Sequence, residues 1–308
     1  MSTDPFRLVV ISAWNDSGGG FLHRLFDGHP ECFVYPFELQ LGTDSFHDGL
    51  SDWFRAKYRW PDFPPNIGTV PAADLFARFI DDEVKGYLRA RESSKFQRFD
   101  LDLALAEWQA RFAELLARGD RSREAVIAAY VGALFVAWRN RRWSGRERLY
   151  VGHCPVAVVD ADRILTDCPG ARLVHVVRRP TSGFVDFRRR VPEMDVGSYC
   201  RKWSLVNVLG FYFSRKYPGR VTTVPFEALL RERAATLRRV CAWLGVTYDS
   251  VLEVPTWNGE PIAELYPFGG VPVASIEHER ECERSLSASE RSVIAAETQA
   301  AMALYGWS

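Results

Sequence analysis

The first thirty residues constrain this 308-residue chain most. An apolar run, LVVISAW (residues 8–14), opens into NDSGGG and then FLHRLFDGHPE. After Gly18, Gly19 and Gly20 the apolar residues Phe21, Leu22, Leu25 and Phe26 fall on one helical stripe. His23, Arg24 and Asp27 lie off it, and Gly28-His29-Pro30 ends it. A buried strand, a glycine loop and a short helix therefore follow in order. Glycine lets main chain approach an anion, and the unpaired N–H groups of a helix start face it. This arrangement predicts an anion site for a phosphorylated ligand, with Ser17 as helix N-cap or ligand-facing hydroxyl. A plain glycine turn has the same local sequence, so the loop does not decide the matter alone. It is not the nucleotide loop that ends in GK[ST], because that ending is missing.

Lys plus Arg and Asp plus Glu are equal at 39 each, so no global field draws the protein to nucleic acid or to an anionic membrane. Any anion site must be local. Cys32, Cys154, Cys168, Cys200, Cys241 and Cys282 are scattered without a CxxC pair, which predicts reduced, buried thiols. No apolar segment approaches the ~20 residues of a membrane span. MSTDPFRLVVISAW lacks the basic start and long apolar stretch of a secretion signal, so a cytoplasmic protein is expected.

Four more strand-like runs follow the first: CFVYPF (32–37), LYVGH (149–153), RLVHVV (172–177) and RVTTVPF (220–226). Strands alternating with helices predict an α/β fold, a three-layer P-loop-like arrangement around a mostly parallel sheet, in a single domain. Ligands of such sheets bind at the carboxyl ends of the strands. Residues of about 44–145 read as a helical insertion. Its first part, DWFRAKYRWPDFPPN, is irregular, and three amphipathic stretches follow: AADLFARFIDDEVKGYL, LDLALAEWQARFAELLA and REAVIAAYVGALFVAWRN. These helices either cover the ligand edge of the sheet or pack on its face.

The second chemical signal is ARLVHVVRRPTSGFVDFRRRV (171–191). A strand delivers Arg178 and Arg179, Pro180 breaks the backbone, and a helix from about Thr181 or Ser182 presents Arg188, Arg189 and Arg190. The planar guanidinium grips phosphate oxygens in pairs.

These pieces, in this order, resemble a known family. A glycine-rich first loop, an R-x-P motif after an apolar strand, KYPGRVTTVPFEALLRERAATLRRVCAWLGV and a late PTWNG are similar to the sulfotransferases that use 3′-phosphoadenosine 5′-phosphosulfate (PAPS). The resemblance implies PAPS as co-substrate, no metal, and a small-molecule or carbohydrate acceptor. The oligomeric state stays open. It implies that Asp16, Ser17, Gly18, Gly19 and Gly20 cradle the 5′-phosphosulfate, with amides from Gly18 to Phe21 as donors. It assigns Arg178 to the 3′-phosphate. The serine that the family carries eight residues later falls on Asp186, so Ser182 is the substitute hydroxyl. PFGGVPVASIEHERE (267–281) resembles the nucleotide-covering loop and makes Phe268, Gly269 and Gly270 candidates, with Arg280 behind them. Glu38 stands where many relatives have a base glutamate, and His153 stands where many have the Lys of a K-T-P motif. His29 is a weaker base candidate.

The departures are chemical. The cation that opens the family's loop is Asp16 here, and the loop hydroxyls are Gly19 and Gly20. A carboxylate beside a phosphosulfate must face away, pair with a cation or be protonated. Arg24, Arg188 and His153 are the candidate replacements for the missing charge. Trp53, Tyr58, Trp60 and Phe63 either line an acceptor pocket or belong to the core. Beside an active transferase, a degenerate relative that binds a nucleotide or a partner without transfer remains open. Phosphoryl transfer is disfavoured, because no loop lysine and no evident Mg²⁺ carboxylate pair are present.

Overall fold

The computed structural model describes residues 6–41, 48–80, 82–94, 96–263 and 274–307. Its centre is strand β1 (Leu8–Ala13), every residue of which is buried. An unbroken run of small and branched apolar residues suits a strand covered on both faces. The loop after it leads into α1 (Gly19–Phe26), then β2 (Cys32–Glu38). The segment between β2 and β3, read from sequence as an insertion, carries α2 (Ala72–Phe79), α3 (Asp82–Arg89), α4 (Leu105–Arg118) and α5 (Arg123–Ala137). The chain returns through β3 (Leu149–His153), α6 (Ala161–Asp167), β4 (Arg172–Val177), α7 (Pro180–Arg190), α8 (Val196–Lys216) and β5 (Val221–Pro225). Helices α9 (Phe226–Arg231), α10 (Arg233–Leu244), α11 (Ile276–Ser285) and α12 (Ala288–Leu304) complete it, with a two-residue antiparallel pair, β6 (Thr256–Trp257) and β7 (Glu260–Pro261).

The five main strands form one parallel sheet in the order β2-β3-β1-β4-β5. Alternation along each strand divides the core. Val9, Ile11 and Ala13 pack with Phe21, Leu25, Leu237 and Leu244 under α1 and α10. Leu8 and Val10 belong to the opposite cluster with Phe135, Ile164 and Trp203 of α5, α6 and α8. That is the three-layer arrangement expected, and all five predicted strands are present.

The insertion packs on the second face. Phe37 stacks edge-on against Tyr87 and Phe96, and Phe33 meets Phe135. Helix α5 is apolar nearly all round, and such a helix must be buried. The stretch predicted as one helix, AADLFARFIDDEVKGYL, is two: Ile80 is extended at the end of α2. Of the aromatics considered for an acceptor pocket, Trp60 and Phe63 are core residues at 4% and 5% exposure, and Trp60 donates to Asp167 at 2.8 Å. Trp53 is exposed and Tyr58 half-buried. Burial with a satisfied indole N–H makes Trp60 structural. No helix among the described residues is long and apolar enough to cross a membrane.

Candidate functional site

The carboxyl ends of four adjacent strands meet at the glycine loop. In sheet register Ile11 of β1 lies beside His153 of β3, and His153 beside Glu38 of β2. Arg178 follows β4 directly. The parallel sheet thus brings together the loop, Glu38, His153 and Arg178, which are far apart in sequence.

The loop makes two left-handed turns, at Asp16 (φ 59°) and Gly18 (φ 88°). Asp is one of the few side-chain-bearing residues that tolerate this region. Gly18 is required: besides its φ, a Cβ there would lie 2.1 Å from the Phe226 ring. At the next position a Cβ would lie 2.5 Å from His153 Nε2, so the imidazole lies against the start of α1. Gly20 is in the first turn of α1 and Phe21 is buried beside Phe226. The N-cap of α1 is Gly18, without a side-chain cap, so Ser17 does not cap the helix. Its backbone N–H closes onto Trp14 O at 3.0 Å instead.

Ser17 Oγ is buried without a hydrogen-bond partner, and so are Trp14 Nε1 and the Tyr199 hydroxyl. These three groups are neighbours. The Trp14 and Tyr199 rings are 6.0 Å apart, and a Cβ at Gly183 would lie 2.4 Å from the Tyr199 oxygen and 4.0 Å from Ser17 Oγ. Burial pushes the Tyr199 hydroxyl well above its usual range, so it stays protonated and can donate. Each buried, unpaired polar group costs about 1–3 kcal/mol. Three potential donors left so beside one helix start form a polar cluster suited to an anion that cannot itself donate.

The Asp16 carboxylate is paired. Arg190, at the end of α7, donates to its carboxylate through Nε at 3.2 Å. Burial pushes the Asp16 carboxyl up, and Arg190 pulls against that. Of the three ways to accommodate a carboxylate here, pairing with a cation is the one seen. The partner was not among the replacements named from sequence. Arg24 donates to Pro36 O at 2.6 Å and lies over the Trp257 ring, and Arg188 pairs with Glu290 of α12. Both are turned to structural partners.

At the end of β2, Glu38 is half-buried and accepts from Gln40 Nε2 at 2.5 Å. His153 is buried beside His23, ring centroids 5.9 Å apart. Burial, reinforced by Arg24 and His153, holds His23 well below the usual histidine range, and it is neutral. His29 is a turn residue: Nε2 meets Thr247 O at 2.8 Å and Nδ1 accepts from Glu31 N at 3.1 Å.

Arg178 is buried and its partners are internal. NH1 donates to Asp16 O at 2.6 Å, tying it to the loop, and NH2 pairs with Asp186 at 2.7 Å. Nε and NH2 together grip the Glu279 carboxylate from α11, the Nε bond being 3.0 Å. Ser182 donates to the same carboxylate at 2.5 Å. Asp186 also accepts from Arg189 at 3.1 Å and lies 2.9 Å from His278 Nε2. Burial opposes ionisation of Asp186, but Arg178 and His278 hold its carboxyl below its usual range. Arg178, Ser182 and Asp186 are therefore brought together, and Glu279 completes their set. Sequence reasoning missed Glu279 and Tyr199, and it placed Arg190 in an arginine cluster without pairing it to Asp16, because each arrives from a helix whose solvent-facing and site-facing polar residues look alike. Phe268, Gly269 and Gly270 lie outside the described residues.

A family model described as "Sulfotransferase family" matches residues 9–250. Among solved structures, the sulfotransferase domain from the Synechococcus PCC 7002 olefin synthase is 15% identical with a TM-score of 0.54, over 100% of this chain and 98% of that one. The sulfotransferase domain from the curacin biosynthetic pathway is 13% identical over 99% of each chain, with a TM-score of 0.48. A sulfotransferase from Alicyclobacillus acidocaldarius is 14% identical over 99% of this chain and 98% of that one, with a TM-score of 0.45. No curated protein sequence matches the chain. At these identities the first of the three structures supports the fold.

Proposed function

Since the chain belongs to the sulfotransferase family, we propose that it moves a sulfuryl group from a nucleotide 5′-phosphosulfate, the PAPS class of donor, to a hydroxyl of a small-molecule or carbohydrate acceptor. The observation that carries this reading is the set of three partnerless buried groups, Trp14 Nε1, Ser17 Oγ and the Tyr199 hydroxyl, at the start of α1. A phosphosulfate supplies only acceptor oxygens there, which such groups can satisfy. The amides from Gly18 to Phe21 add main-chain donors, as at other helix starts that hold anions.

The 5′ half of PAPS suits these residues. The 3′-phosphate does not suit its assigned arginine as the side chains stand, because Arg178 and Ser182 already hold Glu279. The transfer itself needs no contact with that phosphate. Glu38 is the proposed base: its carboxylate takes the acceptor's proton as the acceptor oxygen bonds sulfur and the bond from sulfur to the donor's phosphate oxygen breaks. Gln40 orients Glu38. His153, beside Gly19, is the proposed cation or donor for charge on the departing oxygen. No metal enters this reading, and the chain is read as one domain working in the cytoplasm.

A donor-consumption assay over a panel of hydroxylated acceptors tests it. Wild type is expected to consume donor and label an acceptor. Glu38→Gln is expected to lower turnover by about 10²–10⁴-fold, the usual share of a general base, with donor affinity unchanged. Full turnover in Glu38→Gln removes Glu38 as base. Asp16 in place of the loop cation, with Gly19 and Gly20 in place of the loop hydroxyls, favours a second reading, nucleotide binding without transfer, which predicts measurable affinity and no turnover with any acceptor.

A further inference from the structure

We propose that Glu279 is a specificity-determining residue that sets the Arg178 subsite against a 3′-phosphate, so that this chain prefers an adenosine 5′-phosphosulfate whose ribose carries a free 3′-hydroxyl. The inference rests on the sulfuryl-transfer reading above and on the family's assignment of Arg178 to the ribose 3′ position.

Two carboxylates pair with the arginine to which the family resemblance assigns the 3′-phosphate. Arg178 holds Glu279 through Nε at 3.0 Å and Asp186 at 2.7 Å. Ser182, the hydroxyl available to a phosphate in this register, donates to Glu279 instead at 2.5 Å. Two arginines, Arg178 and Arg189, already pair with two acids, Asp186 and Glu279, and His278 lies against Asp186 as well. A phosphate dianion entering this set would meet like charge, whereas a hydroxyl can donate to a carboxylate and accept from the guanidinium.

Glu279 is also held in place. Its side chain is 9% exposed, and the helix that bears it, α11, is fastened to α7 by His278 and Cys282. His278 Nε2 lies 2.9 Å from Asp186, and Cys282 Sγ lies 3.7 Å from the same carboxylate. Ser275 caps α11 by accepting from His278 N at 3.1 Å. Asp186 itself stands where the family has a serine. Two separate positions, on two helices, have thus placed an acid around one arginine.

Calorimetric titration with adenosine 3′,5′-bisphosphate and adenosine 5′-monophosphate, on wild type and Glu279→Gln, tests the proposal. Wild type is expected to bind the monophosphate at least as tightly as the bisphosphate. Glu279→Gln keeps shape and hydrogen bonding while removing the charge, and is expected to shift the preference tenfold or more towards the bisphosphate. Thermal melting of both proteins checks that the variant is folded. If it is not, Asp186→Ser, which restores the family's residue, serves in its place with the same expected shift. A wild-type preference of tenfold or more for the bisphosphate overturns the proposal while leaving the sulfuryl-transfer reading intact. An unchanged ratio in the folded variant overturns it too. Failure of either protein to bind either nucleotide removes the proposal together with the nucleotide-donor reading.

Discussion

At the scale of single residues, the site is a set of local costs gathered in one place. Tyr199 illustrates this: its hydroxyl is buried, protonated and without a partner, and Gly183 is needed to make room for it. Tyr199→Phe is therefore expected to stabilise the fold by about 1–3 kcal/mol of relieved desolvation, read as a higher melting temperature, while weakening binding of the 5′-phosphosulfate donor at least severalfold. Melting curves and calorimetry on one preparation check both signs, and a loss of stability would show that the hydroxyl has a structural role. Legibility in sequence varies at this scale with how local the cause is. Gly18 was readable, because a strand, a glycine and an amphipathic stretch stand next to one another. The partner of Asp16 was not, since Arg190 lies 174 positions away and only the return of α7 brings it close. Ser17 was half readable: its place in the loop was right, and its capping role was pre-empted by Gly18.

Strands and helices were more legible than side-chain partners. LYVGH and RLVHVV match β3 and β4 residue for residue, because buried parallel strands leave continuous apolar runs between breakers. The division into α2 and α3 was hidden, since FARFIDDEV keeps an apolar stripe through the break. The irregular start of the insertion gave no periodic signal, yet a buried polar knot holds it. Arg59 reaches Asp160 through Nε at 2.8 Å and Asp48 through NH2 at 2.8 Å, and Trp60 N donates to Asp160 at 2.8 Å. Removing one partner of a buried ion pair typically costs about 3–5 kcal/mol. Arg59→Ala is expected to lose that much in denaturant unfolding, whereas Arg59→Met combined with Asp160→Leu should lose less. Equal losses would mean that packing, not uncompensated charge, is what Arg59 contributes.

For the whole molecule, the buried histidines make stability depend on pH in a fixed direction. Burial lowers His175 to about 4, with its Nε2 on Asn207 at 2.9 Å. The unfolded chain takes up the proton near the ordinary value of 6.5, while the folded chain resists until about 4. The contribution of His175 is therefore complete above pH 6.5 and is lost as pH falls towards 4, about 3 kcal/mol in all. His23 acts with the same sign. Melting temperature should fall across that window, and His175→Gln should flatten the fall. Identical slopes in the two proteins would show that His175 takes up its proton without resistance.

Strand β2 ends the sheet on one side, and the insertion closes over it: Arg141 donates to Cys32 O at 3.2 Å and lies over the Phe33 ring, which also meets Trp143 edge-on. An uncovered edge strand is a template on which another chain can add itself. The segment that looks like an accessory to the enzyme is thus a guard of its solubility, and trimming the protein towards a minimal transferase core would yield a self-associating fragment in place of a smaller catalyst.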